Sequence, residues 1–130
     1  MLSSHTPHAI VATSDLAAAR AFYEGVLGFS GGVTTPNGVA YPVGSGSVMV
    51  YETTFAGTNK ATALGFELDA DTFDAEAAAL RAAGVSFDTF ESEMMTWQDG
   101  VAHIGSGKAA WFHDPDGNII AISSGLFDRG

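Results

Sequence analysis

The sequence contains no cysteine. That excludes disulfides, thiolate nucleophiles and cysteine-ligated zinc. Positive charge is also scarce, with five Lys and Arg against 15 Asp and Glu and a formal net charge of −10. A surface of that sign repels phosphate backbones and anionic lipids, so nucleic-acid and membrane partners are not expected. No apolar run approaches the roughly 20 residues that a bilayer span requires. Met1-Leu2-Ser3-Ser4-His5 shows no basic segment followed by an apolar one. A secretory leader is therefore not expected, and the expected location is cytoplasmic. Phosphate-cradling loops and nucleophile elbows are missing too, although the chain has 16 glycines, which fall where turns are expected.

What remains is enough for one core. The chain has 130 residues and is 46% hydrophobic, which suits a single domain. His8-Ala9-Ile10-Val11-Ala12-Thr13 reads as a strand, and Ser14-Asp15 offers a helix cap. Leu16, Ala19, Tyr23 and Leu27 place one apolar stripe along a helix from Leu16 to Leu27, which Gly28 ends. Strands are then expected over 29–34, 39–43 and 47–52, separated by Pro36-Asn37-Gly38 and Gly44-Ser45-Gly46 turns.

After Gly57-Thr58-Asn59-Lys60 the order returns. A strand over 63–68, a cap at Asp71 and an alanine-rich helix over 72–83 are expected, then strands over 85–90, 108–113 and 119–123. Asp114-Pro115-Asp116-Gly117-Asn118 is a strong turn signal between the last two. Two readings stay open for the stretch between Phe90 and Lys108: a lid or rim loop, or a surface connection. The expected fold is thus α+β, with two βαβββ modules at about 5–56 and 61–126. Each would form a curled antiparallel sheet with a helix on its outer face, and the sheets together an open cup.

Three stretches carry a family resemblance: HAIVATSDLAAARAFYEGVLGF from His8, Gly65-Phe66-Glu67-Leu68 followed by a helix and Ala83-Gly84-Val85, and AWFHDPDGNII from Ala110. The chain resembles the vicinal oxygen chelate superfamily, the glyoxalase, bleomycin-resistance and extradiol dioxygenase type, over nearly its whole length. The resemblance implies a cup-shaped ligand site and a homodimer. It does not imply one chemistry, because the fold hosts metal-dependent enzymes and metal-free binding proteins alike.

In metal-binding relatives the resemblance implies four ligand positions. His8 stands at the first. The second falls near Val50, with Glu52 on the same strand face but one step displaced. The third and fourth are occupied by Ala63 and Ala121, whose methyl groups have no lone pair to donate. No cofactor is therefore expected. A divalent metal in a rearranged site using His8, His103 and Glu52 is the minority alternative.

The expected function is binding of a small organic ligand, flat or partly apolar. Its lining would come from Tyr41, Val50, Glu52, Ala63, Trp97, His103, Trp111 and Ala121. The alternative is a glyoxalase-like lyase or isomerase in which His8 is the acid–base group.

Overall fold

The computed structural model describes residues 1–4, 6 and 8–126, with Leu2 through its backbone alone. His5, the expected start of the first module, lies outside the described residues. The chain divides into two compact units: Met1–Ala63 together with Asp114–Asn118, and Leu64–His113 together with residues from Ile119 onward. It is an α+β fold of two sheets, each with its own helix.

The first unit opens with a short 3-10 turn and β1 (Ala9–Thr13). Asp15 then caps the helix from an extended backbone, its carboxylate accepting the Ala18 N–H at 3.1 Å. Only Leu16–Arg20 (α1) is α-helical. The chain then widens into a π-helical segment, Ala21–Val26, where the Leu27 N–H reaches the Phe22 carbonyl five residues back. This corrects the uniform helix expected from the apolar stripe. Ala19 and Tyr23 nevertheless form its buried line.

β2 (Val33–Thr35), β3 (Gly38–Val43) and β4 (Gly46–Glu52) complete a sheet of order β1-β4-β3-β2. Its two hairpin pairings are antiparallel, but β1 runs parallel to β4, from Ala9 opposite Val48 to Thr13 opposite Glu52. The expectation of a wholly antiparallel sheet is corrected accordingly. The helix between β1 and the hairpins supplies the crossover that a parallel pairing requires. β2 is also shorter and later than the expected 29–34 strand. Gly38 has a backbone reason: a Cβ there would overlap the Val50 carbonyl oxygen.

The turn Asp114–Asn118 belongs to this unit, and its core is a polar clasp. The Asp114 side chain is 1% exposed and accepts four hydrogen bonds. These come from the Tyr23 hydroxyl (2.8 Å), the backbone N–H groups of Asp116 (2.9 Å) and Asn118 (2.8 Å), and the Asn118 amide (2.8 Å). The other amide hydrogen of Asn118 reaches the Ala12 carbonyl at 2.7 Å. Asp116 accepts from the Thr13 hydroxyl at 2.6 Å and from the Ser14 N–H at 2.8 Å and hydroxyl at 2.5 Å. Burial opposes ionisation of Asp116, but the bonds from Ser14 and Thr13 outweigh it and hold the carboxyl below its usual range. Burial, reinforced by the Asp114 carboxylate, pushes the Tyr23 hydroxyl well above the usual phenol range.

The second unit contains most of β5 (Thr62–Glu67), then α2 (Ala70–Ala82), β6 (Thr96–Gln98), β7 (Val101–Ile104), β8 (Gly107–His113) and β9 (Ile119–Ser124). The sheet order is β5-β9-β8-β7-β6. Three expectations are corrected here. Asp69, not Asp71, caps α2, accepting the Thr72 N–H at 2.8 Å, so the helix starts two residues earlier than expected. The segment 85–90 forms no strand and touches the sheet through a single bridge, Asp88 to Trp111. The stretch 91–107 is neither a bare lid nor a bare connection, because it contains the β6–β7 hairpin. Asp99 and Gly100 sit at φ 53° and 79°, the left-handed pair that a tight two-residue hairpin needs.

The clasp yields the first prediction. Asp114→Ala strands a buried hydroxyl and several N–H groups, and should cost about 3–5 kcal/mol of unfolding free energy in urea titration. Tyr23→Phe removes a single bond to the carboxylate and should cost about 1–2 kcal/mol. The double variant should fall short of the sum, since both changes remove the same bond.

Candidate ligand-binding site

One face of the first sheet packs on its helix and the other is open. The pairing register decides which residues go where. Val11 and Thr13 of β1, Val39 and Tyr41 of β3, and Val48 and Val50 of β4 share one face and are almost wholly buried. Alternation therefore puts Ile10, Ala12, Met49 and Tyr51 on the opposite face. Ile10 is 60% exposed there.

A cavity of about 340 Å³ opens on that face. Ile10, Ala12, Tyr51, Phe55 and Ala63 supply its apolar and aromatic wall, and Thr58, Asn59 and Asn118 its polar groups. Its volume lies in the range of small-molecule sites, about 300–1,000 Å³. The described lining has hydroxyls and amides but no carboxylate and no imidazole. Both amide hydrogens of Asn118 are committed to Ala12 and Asp114, which leaves its carbonyl oxygen as the group able to accept from a ligand. Asn59 is turned onto the backbone of Ala61 at both ends of its amide.

The expected site residues divide clearly. Ala63 lines the cavity. Tyr41 and Val50 do not: each is 1% exposed in the core beside the helix, and their expected role as ligand wall is corrected. Glu52 is exposed at the end of β4, where alternation gives it the face of Val50 rather than that of Ala12. His8 precedes β1, is exposed, and its Nδ1 lies 3.0 Å from the Ser47 hydroxyl. Tyr51, Phe55, Asn59 and Asn118 were missed. Alternation of Val48 and Val50 was the available sign that Met49 and Tyr51 share the opposite face, but it did not say which face the helix covers.

The second sheet has the same division. Lys108, Ala110, Phe112, Ile120 and Ile122 share the face toward α2, where the Lys108 ammonium lies over the Phe73 ring and 2.6 Å from Asp74. His103, opposite Lys108 in the register, joins this face. It lines a shallow cleft of about 240 Å³ with Phe73, Asp74 and Arg81, so its expected place on the ligand face is corrected. Trp97, Ala102, Ala109, Trp111, Ala121 and Ser123 fall on the other face. There Trp97 and Trp111 meet Phe90, with ring centroids 5.1–6.0 Å apart. Ala121 sits directly opposite Trp111.

A divalent metal does not fit the donors present. Of the four positions implied for ligands, only His8 carries a donor atom in its side chain. Val50 is inside the core, and Ala63 and Ala121 end in methyl groups. Among the described residues no three His, Asp or Glu side chains come together as a metal-binding group, the His8, His103 and Glu52 set included.

The model of the glyoxalase/bleomycin resistance protein/dioxygenase superfamily matches residues 5–122. The chain belongs to this superfamily. Solved structures agree on the fold. A glyoxalase/bleomycin resistance protein/dioxygenase from Alicyclobacillus acidocaldarius superposes with a TM-score of 0.70 at 15% identity, covering 95% of this chain and 92% of that one. The fosfomycin resistance protein FosX from Mesorhizobium loti gives 0.67 at 16% identity, with 95% and 93% covered. Lactoylglutathione lyase from Agrobacterium tumefaciens gives 0.67 at 18% identity, with 94% of each chain covered. No curated protein matches the chain.

The core position of Tyr41 yields a pH prediction. Burial, and then the hydrogen bond its hydroxyl gives to Glu24 at 2.7 Å, push its pKa up to about 12 from an ordinary 10.0. The folded state therefore holds this proton more tightly than the unfolded chain does. The associated stability is present below pH 10, declines as pH rises above 10, and is gone above about 12. Tyr41→Phe should flatten the stability profile between those limits in alkaline denaturation, without changing it near neutrality beyond the loss of one hydrogen bond.

Proposed function

We propose that this protein binds a small organic molecule on the glyoxalase/bleomycin-resistance scaffold and does so without the metal centre of its metal-dependent relatives. One observation carries the reading: the first unit's cavity is lined by apolar, hydroxyl and amide groups, and none of its described residues offers a carboxylate or imidazole. Such a lining can bury and orient a ligand by stacking on Tyr51 and by neutral hydrogen bonds. Its described residues offer no carboxylate or imidazole for acid–base work and no set of donors for a metal. Ala63, in this wall, occupies volume where a ligating side chain would otherwise project. A cytoplasmic location and pairing of two copies belong to the same reading and rest on the family relation.

A second reading is favoured by the His8–Ser47 contact. That hydrogen bond fixes the imidazole ring, on the strand face that alternation shares with Ile10 and Ala12. An oriented histidine of this kind can serve as an acid–base group in a lyase or isomerase. The two readings separate in one variant, since His8→Ala should leave ligand affinity within about two-fold under the first and abolish turnover under the second.

Two measurements test the primary reading. Untagged protein purified without chelator should contain far less than one divalent ion per chain by elemental analysis, and added zinc, nickel or manganese should not raise its melting temperature. One tightly held ion per chain would reject it. In a thermal-shift screen of metabolites, Ala63→Trp should remove the stabilisation given by any hit, because an indole fills much of the cavity. A hit that stabilises this variant as well as the parent would place binding elsewhere.

A further inference from the structure

The face of the second sheet away from α2 buries Ala102, Ala109 and Ser123, and its aromatic end beside Phe90 has a chemistry of its own. Phe90 is 47% exposed although it touches both tryptophans of the chain edge to face, at 5.2 Å from Trp97 and 5.1 Å from Trp111. Beside this trio lies a cavity of about 840 Å³, bounded by residues 89–93 and Trp97. Two of the bounding residues are Glu91 and Glu93, both exposed, and neither meets a hydrogen-bonding or ionic partner among the described residues. Among the described residues no lysine or arginine lines the cavity. Lys108, on β8, points the other way and is engaged with Asp74 on the helix side.

We infer that this face is a binding site for a small organic cation, held over the Phe90 and Trp97 rings with Glu91 and Glu93 supplying the counter-charge. The physical case rests on complementarity. Aromatic faces carry negative potential and attract weakly hydrated cations such as quaternary ammonium or N-alkylated heteroaromatic groups. Such ions lose little by leaving water, unlike a hard metal cation, which requires several oxygen ligands at short range. Two unpaired carboxylates next to aromatic surface add attraction of the same sign, strongest at low ionic strength. The cavity volume accommodates a molecule of ordinary metabolite or drug size.

The inference rests on the reading that the chain binds small organic molecules, and it names the class of ligand for the aromatic face. Both tryptophans lie in the trio, so intrinsic fluorescence reports on it directly. The probes are phenyltrimethylammonium, benzyl alcohol and benzenesulfonate, each titrated against the full chain with heteronuclear NMR in parallel. The cation should quench tryptophan emission and bind at least five-fold more tightly than the neutral alcohol, with the sulfonate weakest. Glu91→Gln with Glu93→Gln, a surface change that leaves the rings in place, should weaken the cation about five-fold and the alcohol by less than two-fold. Trp97→Leu should weaken both.

Equal affinities for cation and alcohol, or a cation affinity unchanged in the double glutamine variant, would overturn the inference while leaving small-molecule binding intact. No NMR shift near Trp97 with any probe would also overturn it. The broader reading is tested apart from this, through Ala63→Trp and the cavity of the first unit.

Discussion

A carboxylate buried without a cation among its hydrogen-bonding partners is the constraint on which the first unit depends. Removing a charge from water is expensive, and Asp114 is compensated by four donors arranged around its two oxygens. Each donor serves a second purpose. The two backbone N–H groups shape the Asp114–Asn118 turn. The Tyr23 hydroxyl anchors the π-helical segment, and the Asn118 amide continues to the Ala12 carbonyl on β1. The edge of the candidate cavity is thus set by a polar network, because Ala12 and Asn118 are both clasp members and cavity lining. A hydrophobic turn of the same length could fill the space but would not fix the direction of the Asn118 side chain.

The two sheets solve one problem in two chemical dialects. Each commits one face to its helix. In the first unit the other face carries a small neutral cavity with aliphatic wall and amide rim, and in the second it carries the aromatic trio beside Glu91 and Glu93, with Ala102, Ala109 and Ser123 buried. Membership of the superfamily establishes the scaffold, and relatives at 15–18% identity share it while carrying names as different as fosfomycin resistance protein and lactoylglutathione lyase. Function therefore has to be argued from the side chains on these faces. Alanine at positions 63 and 121 is informative in that setting, because it removes donor atoms while leaving the strand backbone unchanged.

Much of this was legible in the chain. Repeated strand–helix–strand order, the glycine stops and the DPDGN turn were enough to place most strands and both helices, since each reflects a local backbone requirement, but not to show that the turn, expected within 61–126, groups with the first unit. Register was not legible. Alternation says that Val48 and Val50 share a face, but only pairing with β1 and β3 says which face the helix covers, so Tyr41 and Val50 were assigned to the ligand side. His103 failed for the same reason. The β6–β7 hairpin had a readable signal in Asp99-Gly100, yet its strands are three and four residues long and offer almost no period to detect. The opposite error occurred at 85–90, where β-prone residues run alongside β8 and pair at one point only; context overrode propensity. The π-helical widening left no trace in the apolar stripe.

The membership of the Asp114–Asn118 turn in the first unit carries a kinetic consequence. About fifty residues separate it from Ala63, and most of β5 and all of α2 and β6 to β8 intervene. During synthesis from the N-terminus, the strands β1 to β4 emerge with Tyr23 and Ala12 still lacking their partners. The first unit's closure therefore waits until the Asp114–Asn118 turn has left the ribosome. Long-range contacts of this kind raise contact order and slow the committing step of folding. With Tyr23 and Ala12 still lacking their partners, that delay is an interval open to aggregation.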